Sequence, residues 1–177
     1  MVVFNIVGRV AKDKDFLEPL FICLSGLKSK NVQFRLNVIG EIWEKAIHDR
    51  LLTLAKELAI TESVFFTEKS IRYNNMDEEI LNGYFLNFSV GNFVGYSTIE
   101  GIAMGLKTII INVDQDFDEK DINEISFCNK ITDLYNVACK ISENEKETRQ
   151  QIISENLLRK NDYFLTKKDS EFLMSIF

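Results

Sequence analysis

The chain has 177 residues, of which 46% are hydrophobic and 27% charged, with a net charge of −6. That length predicts one domain, burying roughly 70% of the surface its unfolded chain exposes. The acidic balance counts against non-specific nucleic-acid binding, which needs an excess of Lys and Arg, but leaves room for a small anionic ligand held by a few placed cations. No stretch reaches the ~18 uncharged apolar residues of a membrane span, and residues 1–10 follow a strand pattern rather than a signal peptide. Cys23, Cys128 and Cys139 lie far apart in apolar surroundings, odd in number and without a Cys-x-x-Cys pair. They read as small core residues of a protein in a reducing cytoplasm.

Taken in chain order, residues 2–7 form a β-rich run closed by Gly8. Residues 16–27 carry apolar side chains at helical spacing, with Pro19 in the first turn, where its missing N–H costs little. Residues 34–39 read as a buried strand ended by Gly40, 43–58 as a long helix, and 64–66 as a short strand. A short helix is expected over 76–81, a strand over 84–88, a helix over 97–104 and a strand over 108–113. Helices over 131–141 and 146–160 close the chain, and the acidic run 114–121 reads as a solvated loop. Strands apolar on both faces that alternate with helices predict a parallel sheet built from right-handed βαβ units, a doubly wound α/β domain. Such sheets bind ligands outside the carboxyl ends of their strands, at the switch in strand order. The loops after Val7, Ile39, Phe66, Phe88 and Asn112 therefore form the expected functional edge.

Residues 87–112 carry the strongest ligand signal: an apolar strand empties into a loop with Gly91 and Gly95, a short helix follows, Gly105 caps it, and a second buried strand begins. Backbone amides gathered behind small residues at a helix start favour an anion. Gly91 and Gly95 permit close approach of backbone to ligand. Ser97-x-x-Glu100 also fits a capping box, with Ser97 as N-cap and Glu100 reaching back to its amide. At the other candidate position Gly8 ends the first strand, so Arg9 projects from its carboxyl end and Lys14 stands just before the first helix. A planar guanidinium fork and an ammonium point charge both suit a diphosphate. The alternative for these two is a pair of surface cations in a loop that also holds Lys12, Asp13 and Asp15. The segment from Gly101 to Thr108 has the wrong spacing and order for a Walker A loop, and no Gly-x-Gly-x-x-Gly follows the first strand. His48 is the one histidine, so metal and triad chemistry lack a partner for it.

These residues, in this order, resemble the C-terminal, sugar-nucleotide domain of GT-B-fold retaining glycosyltransferases of group 1 (family four). The family opens that domain with an apolar strand, Gly-Arg and a following Lys, matched by Phe4 to Arg9 and Lys14. A strand ending Ile-Gly is matched by Ile39-Gly40, and a Leu-Ala-x-Glu-Leu helix end with a Val-x-Phe strand by Leu54 to Leu58 and Val64 to Phe66. The signature of a Ser, paired Glu residues and interleaved Gly is met by Ser89, Gly95, Glu100, Ala103 and Gly105, over a likeness running from about residue 3 to 112. One departure matters: Asn92 stands where the family has its first Glu. There the first Glu holds donor-sugar hydroxyls and the second, matched by Glu100, holds the ribose. Asn92 keeps hydrogen-bonding capacity but carries no charge.

The resemblance implies a Rossmann-like half of a GT-B fold that binds a nucleotide-diphosphate sugar. Arg9 and Lys14 would stabilise the departing diphosphate, with help from the amides of Gly95, Tyr96 and Ser97 at the helix start. Gly8 and Asn92 complete the expected binding set. No metal, cofactor or enzyme nucleophile is implied. The partner domain that binds a glycan or lipid-linked acceptor is expected outside this chain, with any contact to the inner membrane face made through it. This piece alone is expected to bind nucleotide without turnover. Arg72 and Glu68 are candidates for base or ribose contacts. The rival readings are a degenerate, non-catalytic binding module, favoured by Asn92, a GT-B epimerase, disfavoured by the lone His48, and a flavodoxin-like domain with another ligand.

Overall fold

A computed structural model of the chain describes residues 1–90, 94–114 and 124–163. Asn92 and Gly91 of the expected site lie outside the described residues. Among the described residues six parallel strands are ordered β3-β2-β1-β4-β5-β6. They are β1 (Val2–Val7), β2 (Phe34–Ile39), β3 (Val64–Phe66), β4 (Tyr84–Ser89), β5 (Lys107–Asn112) and β6 (Phe127–Cys128). The helices are α1 (Leu17–Ser25), α2 (Lys45–Glu57), α3 (Glu78–Leu81), α4 (Tyr96–Ala103), α5 (Asp133–Glu143) and α6 (Glu145–Tyr163). This is the doubly wound α/β sheet expected from the alternation of strand and helix patterns. The chain moves outward from β1 through β2 to β3, then returns to the other side of β1. The carboxyl ends of β1 and β4 therefore flank the point where strand order reverses.

Strand alternation assigns the two faces. Phe4 and Ile6 of β1, Leu36 and Val38 of β2, and Leu86 of β4 enter the main core beneath α1, joined by Leu20 and Phe21. On the opposite face Phe85 packs with Tyr73, Met76 and Ile80, and Gly101 of α4 lies against the Thr108 hydroxyl. Helix α6 follows α5 and crosses to this second face, where the Asn156 amide donates to the Thr108 carbonyl at 3.0 Å. Strands β1 and β2 each place an asparagine in the middle of the sheet. The amide of Asn37 donates to Asn5 Oδ1 at 2.8 Å, and the Asn5 amide donates to the Ile80 carbonyl at 2.7 Å. The pair is buried and satisfied, so it fixes register and the position of α3 rather than opposing burial.

Element boundaries depart from the sequence expectation where tertiary contacts compete. Helix α2 starts at Lys45, not 43, because the amides of Trp43 and Glu44 donate to the Val10 carbonyl in the loop after β1. Helix α3 begins after Met76, which stays extended and is buried against Phe85. Strand β6 was not anticipated. It is two residues long, and its approach is held from outside by the Glu155 carboxylate, which accepts from the amides of Ile125 and Ser126.

Candidate functional site

The loop after β1 carries Gly8, Arg9, Lys14 and Phe16, and it is fixed by the loop after β2. Val10 donates to the Glu41 carbonyl at 2.9 Å, Gly8 donates to the Ile39 carbonyl at 3.0 Å, and the Lys12 amide donates to the Glu44 carboxylate at 2.8 Å. Gly40 makes this approach possible: a Cβ there would stand 2.1 Å from the Gly8 carbonyl oxygen. Helix α4 starts from the end of β4, the strand beside β1. Arg9 and Gly95 therefore lie on the same edge of the sheet, on either side of the switch point.

A cleft of about 310 Å³ opens there, lined among others by Gly8, Arg9, Lys14, Asn87, Phe88 and Ser97. It falls at the lower end of the range for small-molecule sites. Its floor is aromatic: the rings of Phe16 and Phe88 stack with centroids 3.7 Å apart. Its charged wall is a cluster. Arg9 Nη2 lies 2.9 Å from Asp13 Oδ2, and Lys14 Nζ lies 3.8 Å from the same oxygen. The Arg9 guanidinium also rests over the Trp43 indole, 4.5 Å from its centroid. Trp43 is 63% exposed, and its Nε1 donates to Glu41 at 3.2 Å. Asp13 and Trp43 were not singled out in the sequence. Only the folding back of the β2 loop brings an indole under Arg9, while Asp13 lies in the same loop as the two cations.

The capping-box expectation is corrected. Gly95, not Ser97, is the N-cap of α4, and no side chain caps the helix. The Ser97 hydroxyl instead donates to Asn87 Oδ1 on β4 at 3.2 Å, which faces it toward the cleft. Gly95 has extended backbone (φ −77, ψ 166) and empty space where a Cβ would stand, so neither conformation nor packing among the described residues demands a glycine there; its lack of a side chain leaves the start of α4 open. Tyr96 is 92% exposed. Glu100 is exposed and does not line the cleft. It faces the loop after β3: burial first, and the Glu100 carboxylate second, push the Tyr73 phenol up from its ordinary pKa. Arg72 and Glu68 are exposed in that same loop, with Glu68 in the left-handed region at φ 55. Ser89 is buried at the end of β4.

His48 is half-buried. Its ring meets the edge of Phe66 at 4.7 Å, and its Nε2 is buried without a hydrogen-bond partner among the described residues. The described residues hold no group of three or more His, Cys, Asp or Glu placed to bind a metal, and no described helix is long and apolar enough to cross a membrane. All three cysteines are free thiols.

A scan against protein-family models and a search of curated proteins each return no match. The fold, in contrast, has solved relatives. Anabaena HepE in complex with UDP and glucose superposes with a TM-score of 0.66 at 13% identity, over 98% of this chain and 47% of HepE. The C-terminal domain of a Francisella tularensis glycosyl transferase group 1 family protein, LpcC, aligns over 88% of this chain and 82% of its own length, with a TM-score of 0.61 and 17% identity. The catalytic domain of the Helicobacter pylori cholesterol-α-glucosyltransferase gives a TM-score of 0.53 at 16% identity, over 89% of this chain and 99% of that domain. The chain has the fold of one half of a GT-B glycosyltransferase. It spans about half the length of HepE.

Proposed function

We propose that this chain is the donor-binding domain of a retaining glycosyltransferase that moves a sugar from a nucleotide-diphosphate sugar to a glycan or lipid-linked acceptor. The observation that carries the reading is the cleft at the switch point, where the Arg9 and Lys14 cations face the first turn of α4 across a 310 Å³ space. HepE, which shares this fold, has been solved with UDP and with UDP-glucose. Arg9 and Lys14 would hold the diphosphate and stabilise the charge that grows on it as the glycosidic bond breaks. The free amides at the start of α4, at Tyr96 and Ser97 beside Gly95, would supply fixed dipoles without reorganisation. Glu100, exposed and facing the loop after β3, would meet a ribose, and Asn92, by the family resemblance, would hydrogen-bond the donor sugar. Transfer would require an acceptor-binding α/β domain in addition to this one, so the domain alone would bind without turnover. The chemistry needs no metal if the two cations neutralise the leaving group.

Calorimetric titration of the 177-residue chain with UDP, GDP and ADP, and with their sugars, tests the proposal. At least one is expected to bind at millimolar concentration or tighter. Arg9→Ala should weaken that binding about tenfold or more, the loss of a charge-assisted bidentate contact, without lowering the melting temperature. Absence of binding by every nucleotide at millimolar levels would overturn the reading.

A further inference from the structure

The charged wall of the cleft already contains an anion. The Asp13 carboxylate stands between Arg9 and Lys14, with one oxygen 2.9 Å from the guanidinium and 3.8 Å from the ammonium. That oxygen occupies the place where a phosphate oxygen would be shared by both cations. Asp13 lines the cleft with them, and its side chain is 50% exposed, so no packing pins it there. The pair is also poised to open. Arg9 has a second support in the Trp43 indole, so its guanidinium keeps a partner on one face when the carboxylate leaves. We infer that Asp13 is a built-in competitor: its carboxylate holds the anion position between Arg9 and Lys14, and a diphosphate binds by displacing it. The inference rests on the nucleotide-sugar reading for its ligand, but its chemistry is that of any diphosphate.

An exchange of this kind makes a defined contribution to affinity. Exposed ion pairs are weak, so Asp13 is easily displaced. It nevertheless subtracts from affinity twice, because its pairing must be broken and its charge then stands beside the bound anion. The same exchange gives selectivity. A ligand with two adjacent phosphates can meet both cations at once, whereas a singly charged anion gains little over the carboxylate it replaces.

Asp13→Asn removes the charge and keeps the shape. Inorganic pyrophosphate and UDP are titrated into the wild-type chain and this variant, read by calorimetry and by the emission of Trp43, the one tryptophan in the sequence. Pyrophosphate affinity is expected to rise about three- to tenfold in Asp13→Asn, the gain expected from losing one exposed ion pair and one repelling charge. The gain should shrink at high salt, and Asp13→Glu should return affinity toward wild type. Unchanged or weaker pyrophosphate binding in Asp13→Asn overturns the inference, because the carboxylate would then be organising the cations rather than competing with the ligand. Equal gains in Asp13→Asn and Asp13→Glu also overturn it, since charge would not be the cause. The two readings fail separately. Tighter pyrophosphate binding with no binding of UDP leaves Asp13 as competitor and removes the nucleotide sugar, whereas UDP binding without a gain in the variant does the reverse.

Discussion

Lys107 opens β5 with its side chain buried against the Tyr84 ring, Nζ 5.8 Å from the centroid. Burial first, and repulsion from Arg149 second, hold its ammonium down from 10.5 to about 8, with Glu145 opposing. At neutral pH the folded state therefore carries a charge it would shed more readily than the unfolded chain. Between pH 8 and 10.5 the unfolded state binds more protons at this site, so the contribution of Lys107 to stability rises with pH and its penalty is gone above 10.5. Lys107→Met should stabilise the protein at pH 7 by on the order of 1–3 kcal/mol. That advantage should vanish as the pH approaches 10.5. Urea unfolding of both proteins across this range checks it through the difference between them. The difference is needed because burial raises the Tyr84 phenol to about 12 and the Cys23 thiol to about 11. These groups pull stability down as pH climbs past their unfolded values in both proteins, which the difference largely removes.

Among the elements, two helix ends solve one geometric problem differently. Helix α4 ends in a Schellman motif: Gly105 sits at φ 75, its amide donates to Ile102, and the Leu106 amide donates to Gly101. Helix α2 ends the same way, with the Ala59 amide on Lys56 and the Ile60 amide on Ala55, but Ala59 holds the left-handed position at φ 54. No atom lies within 4 Å of a Cβ added to Gly105, so Gly105→Ala meets only the backbone penalty and should cost about 1 kcal/mol. Ala59→Gly should gain about 0.5–1 kcal/mol by relieving that penalty, less the entropy of a freer unfolded chain. Thermal denaturation of the two variants should move in opposite directions. The sequence announced the first cap, because a glycine followed the last apolar turn. It concealed the second, because alanine is a strong helix former and nothing local marks the residue where the chain turns left-handed.

At the scale of the whole molecule, the cleft exists because the loops after β1 and β2 are laced together at the edge where strand order reverses. Gly8 and Gly40 lie together there with different tolerances. Gly8 has open space at its Cβ position, while Gly40 faces the Gly8 carbonyl. Gly40→Ala should destabilise the domain by about 1–3 kcal/mol through overpacking and push the Arg9 loop out of place. Gly8→Ala should fold with an unchanged melting temperature and affect only what enters the cleft. Melting curves together with nucleotide titration separate the two, and a Gly40→Ala protein as stable as wild type would show that the loops part freely.

The sequence by itself determined the order of strands β1 to β5 and of the helices, the parallel winding and the sheet edge where the cleft opens. Those follow from local periodicity and from the handedness of βαβ crossovers, which are properties of short stretches of chain. Strands β1, β2 and β3 were legible to the residue, and Arg9 and Lys14 could be named because one follows the end of β1 and the other stands just before α1. Tertiary structure decided what surrounds them. The Trp43 indole under Arg9, the Asn5–Asn37 pair, the start of α2 at Lys45 and the short β6 all depend on contacts between segments distant in sequence. Ser97 shows the difference at one atom: locally its hydroxyl is a ready helix cap, but Asn87 on the neighbouring strand offers an acceptor 3.2 Å away, and the cross-element bond is the one made.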